Sequence, residues 1–170
     1  AKWPKSDKQL INSQIEDELS TIMKLISSVR NIKASFSISP KKEISLICKV
    51  DDSTSQILKS YKIYLERLVK VTSIETDKNI SKPQKSTTIV IGNMEIYIPL
   101  QDLIDINKEI DRLNIQIDNL KGRLNAVNNK LNNKQFVDNA PENIVSHEQN
   151  KKKRYDTELD ILQNNLDSLI

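Results

Sequence analysis

The sequence predicts an α+β protein: an N-terminal helix, a small strand-helix-strand-hairpin unit, and then a long antiparallel two-helix coiled-coil arm. Apolar residues recur at alternating spacings of three and four through the last third, as in a coiled coil. The middle third is rich in β-branched residues around a Gly-Asn pair, as in a hairpin. With only 2 glycines and 29% charged residues, the composition suits long helices. We expect domains at residues 1–40, 41–100 and 101–170.

The first segment is predicted to be one helix from about Asp7 to Ala34. Ser6 is the expected N-cap and Pro40 closes the far end, because serine accepts hydrogen bonds from the first free amides and proline cannot continue a helix. One apolar stripe runs along this helix, and we expect it to be partly exposed: Ile15, Leu19, Ile22, Ile26 and Val29.

The middle segment is predicted to contain two strands joined by a helix. The run KEISLICKV at 42–50 is apolar and β-branched, and VTSIET at 71–76 is a shorter second strand. Between them, Asp51 or Asp52 is expected to cap one continuous helix that ends near Lys70. The inner side of this helix is predicted to carry Ile57, Leu58, Tyr61, Leu65 and Leu68.

A hairpin is predicted to close the middle segment. The stretch TTIVIGNMEIYIP at 87–99 places two β-rich runs on either side of Gly92 and Asn93. Both residue types tolerate a positive φ, so we expect two antiparallel strands that turn at this pair.

The last segment has the spacing of a coiled-coil seam. A turn near 133–141 is expected to join two helices of about 30 residues, or about 45 Å each. Within this turn, Asn139 is expected to cap the second helix, and Pro141 is expected to lie in its first turn. The first seam is predicted at Leu103, Ile106, Ile110, Leu113, Ile117, Leu120, Leu124, Val127 and Leu131. The second seam is predicted at Val145, Glu148, Lys152, Tyr155, Leu159, Leu162, Leu166 and Leu169.

The turn and the outer seam carry residues that a purely structural hairpin does not need. Glu148 and Lys152 occupy seam positions, and Gly122 lies within a helix at a cost of about 1 kcal/mol relative to alanine. At the turn, Phe136 and Val137 either fill the open end of the hairpin or lie beside the bases of an RNA. Both interpretations stay open at this point.

Charge is divided along the arm. Residues 102–118 together with 155–170 carry two basic and nine acidic side chains, a net charge of −7. Residues 119–154, toward the turn, carry eight basic and three acidic side chains, a net charge of +5. Antiparallel pairing is expected to bring 151–154 beside 121–124 and merge two basic clusters. Such a surface suits phosphate binding, and a solvated helix face is the alternative.

The residues offer no catalytic or metal-binding chemistry. His147 stands alone in a polar stretch, no Cys/His cluster has metal spacing, and no glycine-rich loop would hold a nucleotide. Cys48 lies in an apolar run, so we expect it to fill the core, and a single cysteine indicates a reducing compartment. No apolar run is long enough to span a membrane, so we expect no membrane partner. Trp3 is expected to be a packing residue at the edge of a fragment.

Four stretches resemble valyl-tRNA synthetases, in the right order over essentially the whole chain. SSVRNIKASFSISPKK at 27–42 resembles the end of that family's anticodon-binding helical domain, and YLERLVKVTSIE at 64–75 resembles the segment after a short helix there. IYIPLQDLIDINKEIDRL at 96–113 and FVDNAPENIV at 136–145 look like the two ends of the family's C-terminal coiled-coil arm. The second of these, the turn, is the most specific element.

The resemblance implies a non-catalytic, tRNA-binding fragment of a cytoplasmic, monomeric enzyme. In the family the arm reaches the tRNA elbow, where the D- and T-loops meet, and the catalytic domain that uses ATP and Mg lies upstream. We therefore expect a valine-accepting tRNA as partner and no cofactor in the fragment. The expected arm contacts are Lys121, Arg123, Lys130, Lys134, Lys151, Lys152, Lys153 and Arg154. The expected contacts on the anticodon side are Arg30, Asn31, Lys33 and Lys41.

A structural coiled-coil hairpin that mediates protein–protein contact or self-association is the alternative function. The charge pattern discriminates between the two classes. A dimerisation rod should keep its apolar seam as far as the tip, whereas this seam becomes basic and polar there.

Overall fold

A computed structural model describes residues 11–170 and confirms the α+β class. In this range the chain forms six helices and a four-stranded sheet, and the two longest helices contact each other in the last third. The chain divides into two compact units. One extends to Pro83 and includes Thr88–Pro99, and the other comprises Gln84–Thr87 and Leu100–Ile170.

Helix α1 covers Ser13–Ser35. Asn12 caps it, because its side-chain oxygen accepts a hydrogen bond from the Ile15 amide at 3.3 Å. Asn12 has an extended backbone, so the helix begins after it and does not continue from an earlier start. The predicted cap Ser6 and start Asp7 lie outside the described residues, as does Trp3.

The buried face of α1 matches the predicted stripe only in its second half. Ile15 and Leu19 are 51% and 39% exposed, which agrees with the expectation of a partly exposed stripe. No described segment covers that part of the stripe. The residues of α1 that do enter the core are Ile22, Leu25, Ile26 and Val29.

The sheet has the strand order β2-β1-β4-β3. The strands are β1 (Ile44–Lys49), β2 (Val71–Asp77), β3 (Ser86–Ile91) and β4 (Met94–Pro99). β1 pairs in parallel with β2 on one side and antiparallel with β4 on the other. Because side chains alternate between the two faces of a strand, every second residue of β1 is buried. These buried residues are Ile44, Leu46 and Cys48.

Two short helices supply the crossover that parallel strands require. They are α2 (Asp52–Ser60) and α3 (Lys62–Val69), so the predicted single helix is broken at Tyr61. Asp51 is the N-cap of α2, and its side chain accepts a hydrogen bond from the Thr54 amide at 2.8 Å. This bond is the main reason that the pKa of Asp51 lies below its usual value.

The buried stripe of α3 is narrower than predicted. Leu65 and Val69 are 0% and 2% exposed, whereas Leu68 is 49% exposed. The prediction for Leu68 was wrong because Leu58, Leu65 and Val69, at spacings of seven and four, define the buried stripe, and Leu68 lies beside it. The predicted hairpin is present, and Gly92 provides its positive φ of 58°.

The arm, defined as helices α4 to α6, begins with α4 (Ile106–Asn132) and ends with α6 (Glu142–Asp167). The predicted polar turn is itself a short helix, α5 (Lys134–Asn139). The predicted role of Pro141 is close to the observed one, because Pro141 takes the N-cap position of α6.

Asn133, and not Asn139, is the capping residue at the turn. The Asn133 side chain accepts hydrogen bonds from the Gln135 and Phe136 amides at 3.0 and 3.4 Å. Asn139 instead ends α5 and donates to the Gln135 carbonyl at 2.9 Å, so the predicted cap was wrong. Phe136 is half-buried and Val137 is 39% exposed, and neither belongs to the buried seam cluster.

The predicted seam is buried along most of the arm. On α4 it includes Leu113, Ile117, Leu120 and Val127, and on α6 it includes Tyr155 and Leu166. Lys152 is an exception, because it is exposed and its neighbour Lys151 is half-buried instead. The prediction that Lys152 lies in the seam was therefore wrong by one position.

We expect Leu65→Ala to destabilise the protein by about 2–5 kcal/mol, because it empties a fully buried site. Leu68→Ala on the same helix is the matched control and should cost less than about 1 kcal/mol. Urea unfolding followed by circular dichroism measures both. Similar losses for the two variants would contradict the observed difference in burial between Leu65 and Leu68.

Candidate nucleic-acid interface

The register of the arm is set by one polar contact inside an apolar seam. The Lys130 ammonium lies 3.3 Å from a carboxylate oxygen of Glu148, which joins α4 to α6 near the turn. Farther from the turn, Leu120 and Val127 of α4 form a buried cluster with Tyr155 of α6. The partly buried side chains Leu124, Leu131, Leu159 and Leu162 pack against this cluster.

This register shifts the basic clusters slightly from their expected pairing. If Lys130 lies opposite Glu148 in an antiparallel pair, residues 151–154 lie opposite 124–127. The predicted partner range was 121–124, so the difference is three residues, or about 4.5 Å along the axis. By this register the two ranges meet only at the height of residue 124, so the predicted merger of the two clusters stays a prediction.

Glu148 is an unusual occupant of the seam. Its side chain is only 10% exposed, and its second carboxylate oxygen has no hydrogen-bond partner among the described residues. A buried, half-satisfied carboxylate costs stability. It also favours alignments of the two helices that bring a cation beside it, and Lys130 is that cation in the observed register.

The basic residues predicted for the arm form one set, the basic cluster. All are exposed except Lys151, which is half-buried. Within residues 11–170, only Lys130 has a carboxylate within ion-pair distance. The other members have no acidic partner in that range. The basic cluster consists of Lys121, Arg123, Lys130, Lys134, Lys151, Lys152, Lys153 and Arg154.

Tyr155 supports two members of the basic cluster. The Lys151 ammonium lies 6.0 Å from the centre of the Tyr155 ring, and the Arg154 guanidinium carbon lies 5.4 Å from it. Cations are attracted to the face of an aromatic ring, so the ring restrains both side chains at the surface. From its spacing in the sequence, Tyr155 is predicted only as a seam residue. The signal available in the sequence was the position of Tyr155, four residues after Lys151 and one residue after Arg154.

The acidic end of the arm is organised differently. Glu109 is buried and forms an ion pair with Arg112, whose Nε donates to Glu109 at 2.8 Å. Arg112 also donates to the Gln116 side chain at 3.1 Å. The hydrogen bonds to Glu109 raise the pKa of Arg112. Arg112 is thus neutralised by a residue of its own helix. Arg123 and Arg154, nearer the turn, have no acidic partner among residues 11–170.

The residues predicted for the anticodon side do not form one surface. Arg30, Asn31 and Lys41 are exposed, and Arg30 donates to the Leu68 carbonyl at 3.4 Å. Lys33 is 4% exposed. Three of these four side chains are therefore accessible, and Lys33 is not.

Lys33 has a structural role. Its ammonium donates to the carbonyls of Pro40, Lys42 and Val69 at 3.2, 2.6 and 2.8 Å. Burial lowers the pKa of Lys33, and the nearby Lys70 lowers it further. Because all three donor hydrogens are used, Lys33 has none left for a phosphate. We therefore leave it out of the candidate interface.

The possible metal ligands and the two glycines of the described range are dispersed. In residues 11–170 no three His, Cys, Asp or Glu side chains converge as metal ligands. Gly92 lies in the hairpin turn and Gly122 within α4, so neither belongs to a phosphate-binding loop. Burial raises the pKa of the Cys48 thiol to about 12, which keeps it protonated. No helix in the described range is long and apolar enough to cross a membrane.

The arm matches a known family over most of its length. The family described as "Valyl tRNA synthetase tRNA binding arm" matches residues 105–170. The arm belongs to the valyl-tRNA synthetase family. The rest of the chain matches the same enzymes, and together the matches correspond to the C-terminal region of bacterial valyl-tRNA synthetases.

Three relatives illustrate the match to these synthetases. The valine–tRNA ligase of Clostridium acetobutylicum is 31% identical over 168 residues, which is 98% of this chain and 19% of that enzyme. The Listeria monocytogenes enzyme is 33% identical over 156 residues, 91% of the chain and 18% of the enzyme. The Clostridium perfringens enzyme is 30% identical over 172 residues, 99% of the chain and 19% of the enzyme. The chain thus spans less than a fifth of the length of these curated relatives.

We expect the two halves of the Lys130–Glu148 pair to respond oppositely to apolar substitution. Lys130→Met leaves a buried carboxylate without a cation and should destabilise the arm by about 1–3 kcal/mol. Glu148→Leu fills the seam with an apolar group and should be neutral or stabilising by up to about 2 kcal/mol. Loss of helical circular dichroism during urea unfolding measures both, and equal destabilisation would contradict this account.

Proposed function

We propose that this chain is the non-catalytic tRNA-binding part of a valine–tRNA ligase. The arm would contact the elbow of a valine-accepting tRNA through the basic cluster. The observation that carries the proposal is that this cluster is exposed and largely without acidic partners, within a segment that matches the tRNA-binding arm family.

Lysine and arginine contacts to phosphates would supply most of the affinity. Such contacts release condensed counterions and carry little sequence information, so they position an RNA without identifying it. The folded corner of a tRNA offers a dense and fixed set of phosphates for this purpose. At the turn, the half-exposed Phe136 and Val137 would then lie close to the loop bases.

The contribution to aminoacylation would be one of affinity and placement. A second contact tethered to a catalytic domain raises the effective concentration of the tRNA without adding new chemistry. In this proposal the fragment needs no cofactor, and ATP and Mg act in the catalytic domain of the whole enzyme. We further propose that the whole enzyme is monomeric and cytoplasmic, where Cys48 would stay reduced.

The first test is the salt dependence of tRNA binding by the 170-residue chain. Four phosphate contacts predict an affinity loss of about 50- to 150-fold between about 50 and 200 mM KCl. Fluorescence anisotropy with a labelled valine-accepting tRNA transcript measures it. Absence of binding, or binding that salt does not affect, would favour the structural coiled-coil alternative, which sedimentation of the chain alone would then test.

The second test removes charge from the outer half of α6. Replacing Lys151, Lys152, Lys153 and Arg154 by Gln should weaken tRNA binding by about 30-fold or more. Thermal unfolding should change little, because three of the four side chains are exposed. The matched control removes four exposed cations from the other unit: Lys24, Lys59, Arg67 and Lys82. Equal effects of the two sets, or parallel loss of binding and stability, would assign the cluster a structural role.

A further inference from the structure

Helical periodicity divides the basic cluster between two faces of the arm. On α4, Arg123 and Lys130 are seven residues apart and each directly precedes a seam leucine, so they lie on the same flank. Lys121 directly follows the seam residue Leu120 and lies on the opposite flank. In an antiparallel pair, residues that precede the seam on one helix lie beside residues that precede it on the other.

On α6 the same rule separates the consecutive cations. Lys151 and Arg154 both lie against the Tyr155 ring, on the flank of the residues that precede the seam. Lys152 and Lys153 point away from it, toward the flank that contains Lys121. We name the first flank the arginine face: Arg123, Lys130, Lys151 and Arg154. We name the second flank the amide face: Lys121, Lys152, Lys153 and the polar neighbours Asn125, Asn128, Asn132 and Gln149.

Acidic residues make the two faces electrostatically unequal. On the amide face, Asp156 follows the seam residue Tyr155 and lies at the height of Lys121, and Glu142 lies on the same flank nearer the turn. On the arginine face, the exposed Glu158 lies seven residues after Lys151 and therefore on the same flank, and Glu148 is buried and bound to Lys130. The arginine face thus has four cations and one exposed acid, whereas the amide face has three cations and two acids. The positive potential is therefore concentrated on the arginine face.

The kind of cation also differs between the faces. The outer half contains two arginines, Arg123 and Arg154, and both lie on the arginine face. The register set by Lys130 and Glu148 places them within one residue of the same height, on opposite helices. A guanidinium donates two parallel hydrogen bonds to a phosphate and stacks on a base, whereas a lysine acts as a point charge.

We propose that the arginine face is the surface of the arm that binds the RNA backbone, and that the amide face is directed to solvent. This assignment rests on the proposed tRNA-binding function and specifies the side of the arm. Arg123 and Arg154 form its centre, with Lys151 held in place by Tyr155. Lys130 extends the strip by about 10 Å toward the turn.

The test compares two triple variants of the 170-residue chain that remove the same charge from the same helices. Arg123→Gln, Lys151→Gln and Arg154→Gln alter the arginine face, and Lys121→Gln, Lys152→Gln and Lys153→Gln alter the amide face. We expect the first set to weaken binding of a valine-accepting tRNA transcript about tenfold more than the second. The slope of log affinity against log salt concentration should also become shallower for the first set than for the second, by about two units, because specific phosphate contacts are lost.

The outcomes separate the face assignment from the function itself. Equal losses of affinity and slope would overturn the assignment and leave the proposed function in place. Absence of binding by the unaltered chain would overturn both. If a triple variant loses helicity, the double variants Arg123→Gln with Arg154→Gln and Lys121→Gln with Lys153→Gln repeat the comparison, because all four side chains are exposed.

A crosslinking experiment tests the same assignment without removing charge. Ala126 and Asn125 are adjacent, exposed and on opposite flanks of α4. Cys48 is buried and the chain has no other cysteine, so a thiol-linked photocrosslinker would report only an introduced cysteine. Ala126→Cys should crosslink the tRNA several-fold more efficiently than Asn125→Cys. Equal yields, or a higher yield from position 125, would overturn the assignment.

Discussion

The antiparallel register of α4 and α6 is the constraint on which the functional surface depends. Burial of Leu120, Val127 and Tyr155 holds the helices together, but apolar burial has no direction and tolerates a slip of one heptad. Such a slip would separate the basic residues of the two helices by about 10 Å. The contact between Lys130 and Glu148 opposes the slip that would place Val137 beside the buried carboxylate, whereas the opposite slip would replace Lys130 by Arg123.

The same principle operates in the other unit. Lys33 connects α1 to the loop that follows it and to the end of α3, since its ammonium donates to the carbonyls of Pro40, Lys42 and Val69. The Val69 carbonyl is at the last residue of α3, where a helix leaves backbone acceptors unsatisfied. In each unit one buried ionisable side chain thus organises the backbone or side chains around it. Charge that remains at the surface of the arm is then available to a partner.

Sequence patterns predicted the structure well wherever one period continued without interruption. The alternation of β1, the hairpin at Gly92 and most of the coiled-coil seam are examples. The predictions failed where a local competitor ended the period. The predicted single helix broke at Tyr61, and Asn133 capped the turn helix in place of Asn139. Period alone gives no warning of such breaks.

For the candidate interface, composition was sufficient to find the basic cluster but not to orient it. The exposure of its members follows from the heptad pattern, except that Lys151 and Lys152 exchange roles at the seam. The stacking of two cations on Tyr155 depends on side-chain geometry that spacing only suggests. Lys33 resembled a surface contact in sequence because nothing local indicates three carbonyls from elsewhere.

The sequence by itself determined the α+β order, the two-helix arm and the division of charge along it. These properties depend on periodicity and composition, which are local along the chain. The tertiary structure decided the register of the arm, the burial of Lys33 and the face on which both outer arginines lie. Those properties depend on contacts between residues about 10 to 40 positions apart, such as Lys130 with Glu148 and Lys33 with Val69. Local patterns cannot specify these properties, because each contact forms only when the two segments are brought together in the folded chain.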